Sequence, residues 1–134
     1  MSASAFAVTG FAAWTIFLLV LVVVMRTITT AATGKQLNAY SPGGEDLSPL
    51  GQRITRAHLN CVENLPVFAA IILGAAASDQ LGVTDGLAMW VLYARIAQSV
   101  VHVISTAPLM VTIRGTLLLV QLGLLGWMIF QLLT

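Results

Sequence analysis

Residues 52–66 read QRITRAHLNCVENLP, and residues 67–73 continue as VFAAIIL. The polar side chains of this stretch recur every three or four residues, at Arg53, Arg56, Asn60 and Glu63. At about 100° per residue of α-helix, these four positions share one face roughly 80° wide. The apolar run that follows is too hydrophobic for the surface of a soluble helix. The stretch therefore predicts a helix that carries a polar stripe into a membrane.

The composition of the whole chain supports a membrane protein. Of its 134 residues, 58% are hydrophobic and 8% are charged, and the mean hydropathy is +0.94. Soluble domains carry about 25% charged residues. The net charge of +1 gives no reason to expect a nucleic-acid or an acidic protein partner. The single cysteine, Cys61, has no second cysteine with which to form an intrachain disulfide.

Hydropathy predicts four membrane-spanning helices joined by polar segments. Residues 5–25 carry no charge and are long enough to cross about 30 Å of hydrocarbon. No basic residue precedes this run, which argues against a cleaved signal peptide and for a retained span. Arg26 closes the span, although the helix could continue into the polar loop of residues 27–49. The other predicted helices are residues 49–78, 86–106 and 109–134.

Local signals predict where two of these helices begin. Ser48 followed by Pro49 is typical of an N-cap and a first helical residue. Thr84 or Asp85 is the predicted N-cap of the third helix. Pro66 predicts a modest kink in the second. With no internal repeat or linker, residues 1–134 are predicted to form one all-α domain, an antiparallel four-helix bundle.

Basic residues mark one side of this predicted bundle. The first loop and its flanks carry Arg26, Lys35, Arg53 and Arg56, and Arg114 lies near the third connection. The second connection carries only Asp79 and Asp85. Because positive charge favours the cytoplasmic side, both termini are predicted to be non-cytoplasmic.

Polar side chains of three predicted helices meet in the cytoplasmic half of the membrane. Arg95, Gln98 and His102 follow the i, i+3, i+7 spacing of one helix face, and Arg114 and Gln121 lie nearly on one face of the fourth helix. The opposite half, residues 69–77 and 122–133, is almost without polar groups. This asymmetry predicts a polar site near one membrane surface.

The charges of this region predict an anionic ligand. A charge at bilayer depth costs roughly 2.5–3.5 kcal/mol and usually faces a partner or a wet cavity. Glu63 is the only acid inside a span, and Arg95 and Arg56 are its candidate partners. A Glu63–Arg95 pair could simply tie two helices together. Even then no acid would remain to pair with Arg53, Arg56 and Arg114. A pocket formed by these polar side chains would therefore suit an anionic ligand.

Two residues of this region have both a structural and a functional interpretation. Arg114 lies in the first turns of a helix, where the dipole also favours negative charge, but it could be an ordinary interfacial arginine. His102 could bind a ligand or be purely structural. No His, Cys, Asp and Glu residues have metal-ligand spacing, so no metal is predicted.

These motifs resemble those of the MAPEG family, the membrane-associated proteins in eicosanoid and glutathione metabolism. Residues 56–66, RAHLNCVENLP, are similar to the family's second-helix signature, and residues 94–98, ARIAQ, to its third-helix segment. Arg114 stands where the family has an arginine that opens the fourth helix. The resemblance implies homotrimers, with glutathione between subunits in the cytoplasm-facing half.

The resemblance also implies roles for individual residues. Arg56, Asn60 and Glu63 would hold glutathione, and the catalytic residue Arg114 would stabilise its thiolate. With the polar stripes, the candidate glutathione-binding residues are Arg53, Arg56, Asn60, Glu63, Arg95, Gln98 and His102.

The chain departs from the eicosanoid branch of the family, whose tyrosines are replaced by Asn64, Gln98 and His102. We therefore expect a glutathione transferase or peroxidase of the bacterial type, acting on lipophilic electrophiles or hydroperoxides. A bacterial inner membrane is then expected rather than the endoplasmic reticulum. One alternative is a non-catalytic lipid-binding scaffold of the same family. A small four-span exporter is a weaker alternative, because the first span carries no acid.

Overall fold

The computed structural model describes residues 1–134 and contains four long α-helices and no strand. Each helix is long and apolar enough to cross a membrane. The predicted all-α fold and multi-pass membrane architecture are therefore confirmed. The helices are α1 (Ala3–Thr33), α2 (Pro49–Ala77), α3 (Leu81–Ile104) and α4 (Pro108–Leu133), with a 3₁₀ turn at Leu37–Ala39.

Helix α1 continues beyond Arg26 to Thr33. The hydroxyls of Thr27, Thr29 and Thr33 each donate to the carbonyl four residues earlier, so these polar side chains are satisfied within the helix. Gly34 then ends α1 with φ of 74°, and its N–H donates to the carbonyl of Thr30. The left-handed conformation at this position favours glycine.

The start of α2 follows the prediction. Pro49 begins the helix, and the Ser48 hydroxyl accepts from the N–H of Gly51 at 3.2 Å. Pro66 lies inside α2, which continues through it as one helix to Ala77.

The predicted start of α3 was wrong, because the turn before it is shorter than expected. Asp79 adopts φ of 55°, and Gln80 N–H donates back to the Ala75 carbonyl at 2.7 Å. With the Asp79 N–H bonded to Ala76, this is a Schellman motif with aspartate in place of glycine. The chain reverses within these residues, so α3 begins at Leu81.

Thr84 and Asp85 bind the start of α1 instead of capping their own helix. Asp85 Oδ1 accepts from the backbone N–H of Ser4 at 2.9 Å and from its hydroxyl at 2.6 Å. The same hydroxyl lies 2.7 Å from Thr84 Oγ1. Because the first N–H groups of a helix have no partner within it, Asp85 satisfies α1 from across the bundle.

The α1–α2 loop folds back over the end of α1. Tyr40 is buried, and its hydroxyl donates to the carbonyl of Arg26 at 3.2 Å. The Lys35 ammonium lies 4.9 Å from the centre of the Tyr40 ring and 2.7 Å from Asp46 Oδ2. These contacts fix the α1–α2 loop against α1, and we call the end of the bundle that this loop shares with the α3–α4 turn the loop end.

Helices α1, α2 and α3 pack against one another, whereas α4 packs mainly on α3 and scarcely touches α2. The core lies within the first three helices, around Phe11, Phe68 and Val91. Helix α4 buries only Gln121, Leu125 and Met128. A gap therefore remains between α2 and α4.

Candidate functional site

A cavity of about 320 Å³ fills the gap between α2 and α4 in the half nearer the loop end. We call it the central cavity. Its lining consists of two leucines and five polar or charged residues contributed by three helices: Asn60, Glu63, Asn64, Arg95, Gln98, Leu118 and Leu122. Four of the predicted site residues, Asn60, Glu63, Arg95 and Gln98, thus lie in one cavity.

Arg95 is the main electrostatic feature of the central cavity. Its side chain is 1% exposed, and neither Nε nor Nη2 has a hydrogen-bond partner. Its guanidinium carbon lies 5.6 Å from the centre of the Phe11 ring, which holds the cation in place from the α1 side. A buried arginine with unused donors is costly at bilayer depth unless a ligand supplies acceptors.

The ion pair between Glu63 and Arg95, one of the sequence-based alternatives, does not form. The only ion pair within 4.0 Å joins Lys35 and Asp46 in the loop. Glu63 is exposed on α2, and although it lines the same cavity as Arg95, their charged groups are further apart than this limit. Both charges are therefore free to bind a ligand that carries charges of both signs.

A chain of amide groups orders the α3–α4 wall of the cavity. Gln121 Nε2 donates to Gln98 Oε1 at 2.8 Å and to the Leu117 carbonyl at 3.0 Å. Gln98 Nε2 in turn donates to the Arg114 carbonyl at 3.4 Å. Both glutamines are buried, so these bonds fix where the Gln98 side chain lies beside Arg95.

His102 lies beside the central cavity rather than in its lining. Its Nδ1 is 3.4 Å from Asn60 Nδ2, which can donate to it. Arg56 and Arg114 are both near enough to act on this ring electrostatically. His102 therefore connects α2 with α3 and orients Asn60, and two cations lie close to it.

Arg114 lines no cavity in the single chain. Its side chain is half-buried, and its Nε is buried without a hydrogen-bond partner. Its carbonyl accepts a hydrogen bond from Gln98 Nε2, and its positive charge acts electrostatically on the His102 ring. The assignment of Arg114 as the catalytic residue stays a prediction.

Arg53 and Arg56 lie in a second cavity, of about 270 Å³, at the loop end. We call it the arginine cavity. Its lining residues are Pro49, Gln52, Arg53, Arg56 and Thr106, of which only Pro49 has an apolar side chain. The sequence predicted one pocket for all the arginines, whereas the chain forms two separate cavities. The roles of Arg53 and Arg56 in glutathione binding stay predictions.

The sequence analysis did not include three lining residues of the central cavity among the candidates, Asn64, Leu118 and Leu122. The two leucines lie four and eight residues after Arg114, on its helix face. Asn64 follows Glu63 and donates to the Asn60 carbonyl at 2.7 Å. The prediction used only polar residues and therefore missed the leucines. Helical spacing from Arg114 could have identified them.

Two further features of this region are its lack of a metal-ligand cluster and the position of its cysteine. No group of three His, Cys, Asp or Glu side chains is placed to hold a metal ion. Cys61 is fully buried, with its Sγ 3.6 Å from Ser99 Oγ, so it packs between α2 and α3.

A model described as the MAPEG family matches residues 4–134, nearly the whole chain. The chain belongs to the MAPEG family. Searches of curated proteins and of solved structures each found no match. Membership of the MAPEG family places the chain among membrane proteins linked in general to glutathione.

Proposed function

We propose that this MAPEG protein binds glutathione in the central cavity and transfers it to lipophilic electrophiles or uses it to reduce hydroperoxides. The observation that carries the proposal is the Arg95 side chain, buried beside an open cavity with donors that no protein group uses. Glutathione supplies two carboxylates, an ammonium group and a thiol. Arg95 matches one of these carboxylates and Glu63 matches the ammonium group, whereas the second carboxylate has no cation in the central cavity.

The lining suggests a role for each polar side chain. Arg95 would bind a glutathione carboxylate, since guanidinium and carboxylate form strong charge-assisted hydrogen bonds. Glu63 would bind the ammonium group. The amides of Asn60 and Gln98 would donate to and accept from the peptide groups, because each side chain offers both functions. Leu118 and Leu122 form the apolar wall towards the membrane, from which a lipophilic substrate would come.

The thiolate form of glutathione is the nucleophile in both reactions. With an aryl halide, the sulfur forms a bond to the electrophilic carbon and the halide leaves with the bonding electrons. With a hydroperoxide, the O–O bond breaks to give an alcohol, and a second glutathione completes the disulfide and releases water. Thiols ionise near pH 8.5, so a neighbouring cation increases the thiolate fraction at neutral pH.

Arg114 is the proposed cation for this step. It is the seventh residue of α4, its Nε is buried without a protein partner, and its carbonyl accepts from Gln98, which lines the central cavity. We predict that Arg114→Ala lowers the rate of glutathione conjugation to chlorodinitrobenzene at pH 7 by about 8- to 25-fold. This range is the change in thiolate fraction at pH 7 when the pKa of the glutathione thiol rises by about one to two units to its ordinary value near 8.5.

The pH profile of the conjugation rate separates this role from a structural one. The Arg114→Ala profile should shift to higher pH and approach the wild-type rate once the thiol is fully ionised. The matched control is Arg26→Gln, which removes an arginine outside the central cavity. Equal rates for wild type and Arg114→Ala at pH 7 would remove Arg114 from the mechanism.

A lipid-binding scaffold is the second candidate, favoured by the apolar grooves on the outside of the bundle. The largest holds about 340 Å³ between the ends of α2 and α4 and is lined mostly by apolar residues such as Ile71 and Leu132. The replacement of the family's tyrosines by Gln98 and His102 also favours this function. Calorimetry that detects lipid binding but no glutathione binding at millimolar concentration would decide for the scaffold.

A further inference from the structure

Helix α4 carries a buried glutamine that lines neither of the two cavities. Gln121 is 2% exposed and is joined to the lining of the central cavity only through its hydrogen bond to Gln98. A polar side chain inside a membrane-spanning helix is costly unless its hydrogen bonds are made, and such residues generally mark functional positions. The partners of Gln121 therefore indicate what it does.

Two backbone carbonyls of α4 determine the direction of hydrogen bonding between the two glutamines. The Leu117 carbonyl accepts from Gln121 Nε2 at 3.0 Å, and the Arg114 carbonyl accepts from Gln98 Nε2 at 3.4 Å. Because a carbonyl can only accept, each amide turns its nitrogen towards its carbonyl. Gln121 Nε2 then donates to Gln98 Oε1 at 2.8 Å.

These neighbours disfavour the opposite orientation of the Gln98 amide. A flipped amide would place its oxygen against the Arg114 carbonyl and its NH2 group against the NH2 group of Gln121. Both hydrogen bonds would be lost. Because both glutamines are buried, water would not replace these bonds.

The fixed Gln98 amide keeps one donor for the central cavity. An amide nitrogen carries two N–H donors, and the Arg114 carbonyl takes one of them. Gln98 lines the cavity three residues after Arg95, whose Nε and Nη2 are also unused. The α3 side of the cavity therefore offers N–H groups from two adjacent residues, which suit oxygen atoms of a ligand.

Without Gln121, the Gln98 oxygen would lose its donor. Arg95 lies one turn away on the same helix face and has donors that no protein group uses. A released Gln98 oxygen would therefore compete with the ligand for Arg95. By holding this oxygen, Gln121 keeps the guanidinium free.

We propose that Gln121 is a positioning residue of the central cavity. It fixes the Gln98 amide so that an N–H, and not the oxygen, is available beside Arg95 to a carboxylate or peptide oxygen of the ligand. The inference rests on the proposed function for the identity of that ligand, glutathione. It narrows the role of Gln98 to that of a donor, and Gln121 itself contacts no ligand.

Calorimetry with glutathione tests the proposal through Gln121→Met, which keeps the length of the side chain and removes the donor. Loss of one oriented neutral hydrogen bond should weaken glutathione binding about 3- to 10-fold. The control is Gln131→Met, which changes an exposed glutamine of the same helix and should bind glutathione like wild type. Thermal unfolding checks that each variant folds, and Gln121→Leu is a second variant without the donor.

A double-mutant cycle separates positioning from packing. If Gln121 acts only through Gln98, then Gln98→Met and the variant with both substitutions should bind glutathione equally, within about twofold. Hydrogen exchange of the Gln98 side-chain N–H groups, followed by NMR in the ligand-free protein, should be about fivefold faster in Gln121→Met. This readout needs no glutathione, so it tests the orientation of Gln98 separately from the proposed function.

Three results would overturn the proposal. One is wild-type glutathione affinity in Gln121→Met, and another is a pair of losses that add fully in the double variant. The third is unchanged exchange of the Gln98 N–H groups. Faster exchange in a protein that binds no glutathione would instead reject the proposed function and support the positioning of Gln98 by Gln121.

Discussion

At the scale of single residues, Arg95 is the side chain whose position most needs a ligand. It is buried, stacks near Phe11, and leaves Nε and Nη2 without acceptors. A residue retained for stability alone would be expected to have its hydrogen bonds satisfied. The unused donors therefore point to binding rather than to packing.

Replacing Arg95 should separate binding from stability. Arg95→Met removes an uncompensated buried charge, so the free energy of unfolding of the ligand-free protein should stay equal or rise by on the order of 1 kcal/mol. Glutathione affinity should fall by about 10- to 150-fold, since a hydrogen bond to a charged group contributes about 1.5–3 kcal/mol. Calorimetry gives the affinity, and thermal unfolding gives the stability.

Arg26→Gln serves as the control for the loss of one positive charge and should bind glutathione like wild type. If Arg95→Met instead destabilised the protein strongly and bound glutathione normally, Arg95 would be a structural residue.

The spacing of polar residues predicted part of this site, but it did not predict that these residues divide between two cavities. Asn60 and Glu63 on α2, and Arg95 and Gln98 on α3, were predicted from helical periodicity and line one cavity. The division into two cavities depends on how α2 packs against α3 and α4, which periodicity does not determine. The same packing places Arg114 outside both linings.

At the scale of elements, hydropathy predicted the four helices but misplaced the start of α3. Helix α1 extends to Thr33, a continuation past Arg26 that the sequence left open, and its threonine hydroxyls bond to carbonyls of their own helix. Helix α3 begins early because Asp79 takes the left-handed conformation that usually requires glycine. Asp85 accepts a hydrogen bond from the N–H of Ser4, which lies 81 residues earlier in the chain. No local sequence signal indicates this contact.

The loop between α1 and α2 gives a prediction about pH. The hydrogen bond from Lys35, with a second from the Ser41 N–H, holds the pKa of Asp46 below its usual value of 3.8. A lowered pKa in the folded loop means that the ionised carboxylate stabilises it. This contribution is complete above about pH 4 and is lost as the pH falls through the lowered pKa.

Hydrogen exchange of residues 34–48, corrected for the intrinsic effect of pH, measures this contribution. Loop protection should be constant from about pH 8 to pH 5 and should decrease only below about pH 4. Asp46→Asn should lower the protection above about pH 4 and equal wild type once Asp46 is protonated, whereas Asp79→Asn, at the opposite end of the bundle, should leave the loop unchanged. Because the ion pair is exposed, the effect should weaken in high salt. Unchanged protection in Asp46→Asn would show that the Lys35–Asp46 pair does not order the loop.

At the scale of the whole molecule, the single chain leaves a charged group on its outer face. Glu63 is exposed on α2, beside the gap that α4 leaves open. A carboxylate at this depth is unfavourable against lipid and would be covered by a protein partner or a wet cavity. We propose, as the family resemblance implies, that other copies of the chain close this face.

The proposed assembly is a homotrimer. Native mass spectrometry in mild detergent should give a species of three times the 14.2 kDa chain. Leu122→Arg, which places a charge on the rim of the central cavity, should weaken the assembly, whereas Trp90→Gln on the exposed face of α3 should not. A monomer that binds glutathione with full affinity would show that one chain is sufficient for the site.

The most direct test of the central claim is a structure of the full chain with glutathione bound. The account predicts density for the tripeptide in the central cavity, with a carboxylate oxygen within about 3.2 Å of a guanidinium nitrogen of Arg95. Glutathione bound away from Arg95, or a central cavity that stays empty of it at saturating concentration, would contradict the account.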